Sequence, residues 1–513
     1  MKYSGEAEEK QQQRAPYSGA GTPDGLKQNI ARGFWWKAVE NGGDQLITFL
    51  ISLVLARLLG PERYGTMALM LIFIAIANVV IQTGFQTALI QKQKVTEADL
   101  CSVFYCGLAL AAVFYVLIFL GAPGAALFFG DEEIGPMLRV LALILFFGAV
   151  LSVLYAIIAR RMSFRLQCAA TIAADAVSGL CGVIAAFLGA GTWALVLQQL
   201  VKHTVLMVLL LCLLKWRPRL LFSLNRLCVL FSYGWKVLVS GLIDTIYNNL
   251  YTPVISKLYA PIMVGYYNRG NQFPQVIANA MAQTLQSVML PAFSKMQEDS
   301  DATRRMLRRV IKLGSFVMFP MMFGLAAVAD NLVRVLLGAA WGPAVPLLRL
   351  CCLSYCVWPM HVSNLQAVNA RGRSDIYLKL ELVKKAAGTL LLFASVPLGI
   401  VWMIGLKAAF DFVCTGINAW PNRRLCGYGP LAQWRDVLPE FLLAAGMGLF
   451  VGVLVPKLFP LFLDSSSMDG GLTAFCCLFV QVICGILIYA AGAALFRLES
   501  FQYLWQMLKK SGK

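Results

Sequence analysis

The sequence predicts an all-α polytopic membrane protein of about fourteen transmembrane helices, with two pseudo-symmetric six-helix lobes around a central cavity and two further C-terminal helices. Three observations predict it. Of 513 residues, 59% are hydrophobic and only 14% charged, against roughly 25% charged in a soluble domain. Apolar runs of about 20 residues, the length that crosses a hydrocarbon core, recur along the whole chain. The 44 Lys and Arg exceed the 26 Asp and Glu by 18, and they fall between the apolar runs. That is the distribution of membrane topology rather than of a nucleic-acid-binding surface.

Taken in order, residues 1–32 are polar and Gly/Gln-rich and lack the short apolar core of a signal peptide, so a disordered cytoplasmic tail is expected. Spans follow near 36–58, 66–89, 99–121, 136–158, 167–188 and 192–214, which place an N-lobe over 33–220. The next six, near 233–255, 268–291, 311–329, 345–368, 378–398 and 401–420, place a C-lobe over 221–430. Two more, near 438–458 and 471–496, fill residues 431–497, and the tail 498–513 alternates apolar and basic residues as an interfacial amphipathic helix does. Lys and Arg collect in alternate loops: Lys92 and Lys94; Arg160, Arg161 and Arg165; Lys215 through Arg226; Lys295 through Arg309; Arg371 and Arg373; Arg423 and Arg424; and Lys509 and Lys510. The intervening loops hold few cations, and one carries Asp131, Glu132 and Glu133. By the positive-inside rule both termini are cytoplasmic. No loop is long enough to form a soluble domain, so any site must lie between helices.

Two histidines in the chain disfavour a multi-His metal centre, and no metal site is expected. The 14 cysteines lie mostly inside apolar runs, and read as small reduced hydrophobes. Sliding the chain on itself gives a period of about 200 residues: Trp35 meets Trp235, Asp44 meets Asp244, and Gly60-Pro61 through Gly65 meets Ala260-Pro261 through Gly265. With a one-residue slip, Asn78, Gln82 and Thr83 meet Asn279, Gln283 and Thr284. An even number of spans per copy relates the two by an axis along the membrane normal, an architecture of transporters.

Polar stripes follow the repeat. The first span carries Lys37, Asn41, Asp44, Thr48 and Ser52 on one helix face, and its partner carries Lys236, Ser240, Asp244, Asn248 and Thr252. Each charge at mid-helix costs roughly 2.5–3.5 kcal/mol against lipid, so the stripes are expected to face a solvated cavity. The eighth span adds Asn268, Arg269, Gln272, Gln275, Asn279, Gln283 and Gln286. Amides both donate and accept hydrogen bonds, which suits hydroxyl-rich ligands, although they also bond between membrane helices. Among intramembrane cations, Arg269, Lys37, Lys202 and Lys385 are candidate anchors for a pyrophosphate, which a guanidinium grips in a bidentate manner. Lys384 and Arg349 are intramembrane cations that either serve the site or snorkel to the interface or pair, His203 reads as a satisfied polar group rather than a proton relay, and Lys407 has Asp411 one turn away to pair with. Glu40, Asp44, Asp175, Asp244 and Asp411 are suited either to bind Na⁺ or H⁺ in an exchange cycle or to neutralise a nearby Lys.

The stretch LLGPERYGTMALMLIFIAIANVVIQTGFQTALIQKQKVTEADL, and YAPIMVGYYNRGNQFPQVIANAMAQTLQSVMLPAFSKMQEDSDATRRML in the second half, resemble the Wzx-type polysaccharide-transport branch of the multidrug/oligosaccharidyl-lipid/polysaccharide (MOP) exporter superfamily. Within it, the likeness is to colanic-acid and teichuronic-acid exporters, and it runs from Trp35 to Arg424. The resemblance implies two six-helix lobes and two accessory helices in the cytoplasmic (inner) membrane. It implies a flippase that moves polyprenyl-pyrophosphate-linked sugar repeat units by alternating access and is no enzyme. It also implies basic cavity residues on the pyrophosphate, with no short motif to choose them. The partners implied are the lipid-linked oligosaccharide, membrane lipids and the polymerase or glycosyltransferases of the same polysaccharide, with no nucleic acid. No cofactor is expected beyond a coupling Na⁺ or H⁺. The alternatives are a peptidoglycan lipid-precursor flippase and a cation-coupled multidrug exporter, which calls for a carboxylate-centred apolar cavity.

Overall fold

The computed structural model describes residues 23–92, 95–294, 299–462, 470–503 and 506, with side chains from Gly42 onward except at a few helical positions. Every regular element among the described residues is helical, as hydrocarbon demands, because a helix satisfies its own backbone donors and acceptors. Contacts divide the chain into two compact units, Met1–Gly265 and Tyr266–Lys513.

The first unit holds α1 (Pro23–Asn78), α2 (Gly84–Gln91), α3 (Glu97–Phe129), α4 (Ile134–Leu141), α5 (Ile144–Arg161), α6 (Phe164–Phe187), α7 (Thr192–Leu214), α8 (Leu224–Asn249), α9 (Tyr251–Tyr259) and the start of α10 (Pro261–Ser294). A π-helical turn, Val79–Thr83, joins α1 to α2. The continuous apolar stretch Gly42–Gln91 has 50 residues, about 75 Å of helix and more than twice the hydrocarbon thickness. It breaks at Gly60, whose φ of 76° and ψ of 176° suit only glycine, and Pro61 opens the next segment. The same break recurs one period later, where Ala260 takes φ 118° and ψ 154° and Pro261 opens α10. The two breaks meet: a Cβ on Gly65 would collide with the Pro261 carbonyl, and one on Gly265 with the Pro61 carbonyl. The repeat read from sequence is thus visible as a reciprocal crossing of equivalent segments, with glycine where the backbones touch.

At one end of this unit three basic loops converge. One Arg160 nitrogen lies 3.1, 3.2 and 2.5 Å from the carbonyls of Leu89, Ile90 and Lys92, closing the C-terminus of α2, where a cation is favoured. Asp99, fully buried, pairs with Lys92 at 2.9 Å and Arg226 at 3.4 Å and forms a capping box with Thr96 at the start of α3.

The second unit continues α10 and adds α11 (Ser300–Leu336), α12 (Ala344–Cys356), α13 (Trp358–Ala370), α14 (Ser374–Ser395), α15 (Ile400–Cys426), α16 (Pro430–Leu449), α17 (Val455–Phe462), α18 (Gly470–Leu495) and a helical turn at 499–503. Asp299 caps α11 by accepting from the Asp301 and Ala302 amides. Its basic loops also gather at one end: Arg371 donates to the Leu425 carbonyl at 2.5 Å and to Ser300 at 3.1 Å, and Arg308 forms a two-bond fork with Asp436 at 2.8 and 2.9 Å.

Each of the expected spans falls on helix, yet only ten helices among the described residues are long and apolar enough to cross a membrane. The difference has three causes. Two expected spans share the stretch Gly42–Gln91, and the seventh is bent by 62° between Leu224–Ser232 and Val237–Tyr259. The helices α10 and α14 have the length but are too polar, the first through its amides and the second through Lys379, Glu381, Lys384 and Lys385. All 14 cysteines are free thiols.

Candidate functional site

The helix α10 is 34 residues long and turns an amide-rich face outward. Gln275, Asn279, Gln283 and Gln286 are exposed and Gln272 is half-buried, and steps of three and four residues put them on one face. Lipid would solvate such a face poorly. Arg269, at the head of the row, is only 3% exposed. It donates to Gln272 Oε1 at 2.5 Å, with its guanidinium carbon 5.7 Å from the centroid of the Trp341 ring.

The stripe on α1 is built differently from a bare cavity lining. Lys37 and Asn41 lie outside the described side chains, as does Lys236 in the second copy. Asp44 faces Lys202 of α7 at 3.1 Å, and the same ammonium sits 2.5 Å from Asp175 of α6. Three helices thus share one ion-pair cluster, in which the Asp175 side chain is 1% exposed. The α8 residues Asp244 and Asn248 are both exposed. Asn78 precedes the π-helical turn, Gln82 lies within it, and the two bond to each other at 2.9 Å. They press so closely on Gly148 of α5 that a Cβ there would strike both.

Of the anchor candidates described, none presents an open cation. Lys202 is held by two carboxylates, Arg269 is buried, and Lys385 is half-buried and engaged. Lys384 pairs with Glu381 at 2.5 Å and Arg349 with Asp330. Lys407 meets Asp411 at 3.1 Å and Ser354 at 2.9 Å, with Ser354 also on Asp411. His203 Nδ1 lies 2.8 Å from the Gln199 carbonyl, a local contact one turn back.

Sequence reasoning named Asp44, Asp175 and Lys202 separately and missed that they meet. It also missed a buried amide ring in the second unit. Asn364 and Gln433 exchange hydrogen bonds at 2.8 Å in both directions, and Asn422 donates to Asn364 Oδ1 at 2.8 Å. Asn418 lies 2.9 Å from His361 Nδ1. The four-residue spacing of Asn418 and Asn422 inside an apolar span was the available signal.

These features define a multi-pass helical membrane fold, and solved transporters share it. The lipid II flippase MurJ, in an inward closed conformation, superposes with a TM-score of 0.71 at 13% identity, covering 90% of this chain and 98% of that one. An inward-facing multidrug resistance MATE family transporter of the MOP superfamily gives 0.59 at 15% identity, covering 75% and 95%. Residues 54–346 match the model of the polysaccharide biosynthesis protein family, and the chain belongs to that family. The succinoglycan biosynthesis transport protein ExoT of Rhizobium meliloti (strain 1021) is 27% identical over 333 residues, 65% of this chain and 67% of its own. The teichuronic acid biosynthesis protein TuaB of Bacillus subtilis (strain 168) is 23% identical over 379 residues, 73% and 78% of the two chains.

Proposed function

We propose that the protein is a flippase that carries polyprenyl-pyrophosphate-linked oligosaccharide repeat units across the cytoplasmic membrane by alternating access, for surface polysaccharide biosynthesis. The observation that carries the reading is the exposed amide row of α10, on a helix too polar to be covered by lipid, in a chain of the polysaccharide biosynthesis family. Donors and acceptors in alternation match sugar hydroxyls, and they do so without forming or breaking a covalent bond. The basic ends of both units then face the cytoplasm, with both termini on that side. Arg269 is the proposed pyrophosphate anchor: it heads the row, and a turn of its side chain away from Gln272 would present a fork of donors. Coupling to a Na⁺ or H⁺ gradient belongs to the same proposal, as do the polymerase and glycosyltransferases that act before and after the transfer.

The test is reconstitution into liposomes with a lipid-linked oligosaccharide labelled on one leaflet, with and without an ion gradient. The chain is expected to equilibrate the label, and replacing Gln275, Asn279 and Gln283 together with Leu is expected to abolish transfer without loss of folded protein. Transfer of lipid II alone, or efflux of cationic drugs with no sugar-lipid exchange, would overturn the reading. An Arg269→Ala variant with undiminished transfer would remove the anchor.

A further inference from the structure

The charged end of the second unit holds a cavity that the transport reading does not use. It has a volume of about 310 Å³, at the small end of ligand pockets, and lies between the first turns of α11 and the helical turn at 499–503. Arg305, Arg308, Arg309 and Lys312 project into it from α11, at spacings that put them on one face, and Glu499 and Tyr503 close the other side. Two of the four cations are spoken for: Arg308 by Asp436 at 2.8 Å, Lys312 by Glu499 at 2.8 Å. The Lys312 ammonium beside Glu499 holds that carboxyl below its ordinary range. Arg305 and Arg309 are exposed and form no ion pair among the described residues, the Glu499 carboxylate across the cavity being taken by Arg308 and Lys312. The Arg309 guanidinium lies 4.9 Å from the centroid of the Tyr503 ring, so one of its faces is already desolvated.

The depth of the cavity narrows the ligand. After Lys312 the residues 313–329 carry no charged side chain, about 26 Å of helix, so Lys312 stands where hydrocarbon begins. Arg309 and Tyr503 lie about one turn outside that level and Arg305 about one turn further out, toward the headgroups. Two guanidiniums without an ion pair among the described residues, beside a tyrosine, form the pattern that holds a lipid phosphate, the fork taking two oxygens and the ring sitting near the glycerol carbons. We propose that this cavity binds the phosphate headgroup of an anionic glycerophospholipid of the adjoining leaflet, which ties the turn at 499–503 to α11.

The test uses the full-length chain in detergent and follows lipid retention by native mass spectrometry with phosphatidylglycerol or phosphatidylcholine added. Phosphatidylglycerol is expected to be retained preferentially, and Arg305→Gln with Arg309→Gln to weaken its retention about thirtyfold, each cation near the surface contributing about fivefold. Arg305→Lys with Arg309→Lys should keep most of it. Arg423→Gln with Arg424→Gln, which removes equal charge from exposed positions outside the cavity, should leave it unchanged. Equal loss in that control, or no loss in the first pair, overturns the proposal. Displacement of the lipid by inorganic pyrophosphate of similar affinity would make the cavity a soluble-anion site, and the lipid assignment would fall. Should the first pair fail to fold, the wild type still decides. Phosphatidylglycerol retention must fall as ionic strength rises, and retention indifferent to salt refutes the site.

Discussion

Lys202→Met is the sharpest probe of the first unit. The substitution removes the ammonium that sits 2.5 Å from Asp175 and 3.1 Å from Asp44. Their side chains are unequally placed, with Asp175 1% exposed, Asp44 34% and Lys202 23%. Breaking a buried pair by deleting one partner costs about 3–5 kcal/mol, whereas an exposed pair is worth about 0–1 kcal/mol. The Asp175 arm therefore dominates, and solvent at Lys202 puts the expected loss near the lower bound, about 3 kcal/mol. Thermal unfolding in detergent, followed by intrinsic tryptophan fluorescence, should show Lys202→Met well below the parent. Asp175→Asn alone should cost less, because Lys202 keeps Asp44. The double variant should recover most of the loss of Lys202→Met, since the stranded carboxylate is gone. A Lys202→Met protein as stable as the parent, or a double variant whose loss equals the sum of the singles, would refute the assignment of this cluster as one electrostatic unit.

Three further outcomes are expected. Ala260 holds a backbone conformation that only glycine adopts freely, at a cost of about 1–3 kcal/mol. Ala260→Gly should therefore raise the unfolding midpoint, and Gly60→Ala should lower it at the equivalent break; a midpoint that falls on Ala260→Gly would refute the strain. Asn364→Ala removes the donor to Gln433 Oε1 in a buried site, while the Gln433 and Asn422 amide nitrogens keep the Tyr428 and residue-364 backbone carbonyls. At about 1–3 kcal/mol for an unsatisfied buried group, the same melt should lose at least about 1 kcal/mol, and an unchanged midpoint would dismiss the ring. The Glu499 carboxyl is held below its ordinary 4.5 by Lys312. That stabilisation is complete above the ordinary value and is lost as pH falls through the lowered one. Hydrogen exchange at 499–503, corrected for intrinsic rate, should be slow near neutrality and quicken only in acid, and a turn that loosens on raising the pH would contradict the pairing.

The helices were legible because hydrocarbon leaves a chain few choices. Runs such as 167–188 and 192–214 correspond to α6 and α7 within a residue or a few at each end, and the 200-residue period aligned Gly60-Pro61 with Ala260-Pro261, where the structure then shows two equivalent breaks. The pairing of Lys407 with Asp411 was legible too, being one turn apart on one helix. Partners from different helices were not. Lys202 is 158 residues from Asp44, and nothing in either neighbourhood says that α1, α6 and α7 bring them together with Asp175. The buried Arg269 was equally hidden, because whether a guanidinium faces open space or the Trp341 ring depends on how helices pack.

By itself, the sequence determined that this is a membrane-spanning helical protein, where its helices lie, and that the segments opened by Gly60-Pro61 and Ala260-Pro261 are equivalent. Those properties follow from local hydropathy and self-similarity, each of which is read within a few dozen residues. Only the tertiary structure decided which charges neutralise one another, which amides remain exposed, and where Arg305 and Arg309 share a cavity with Tyr503. Such outcomes depend on distances of a few ångströms between helices far apart in the chain, over which Coulomb and hydrogen-bond energies rise or vanish.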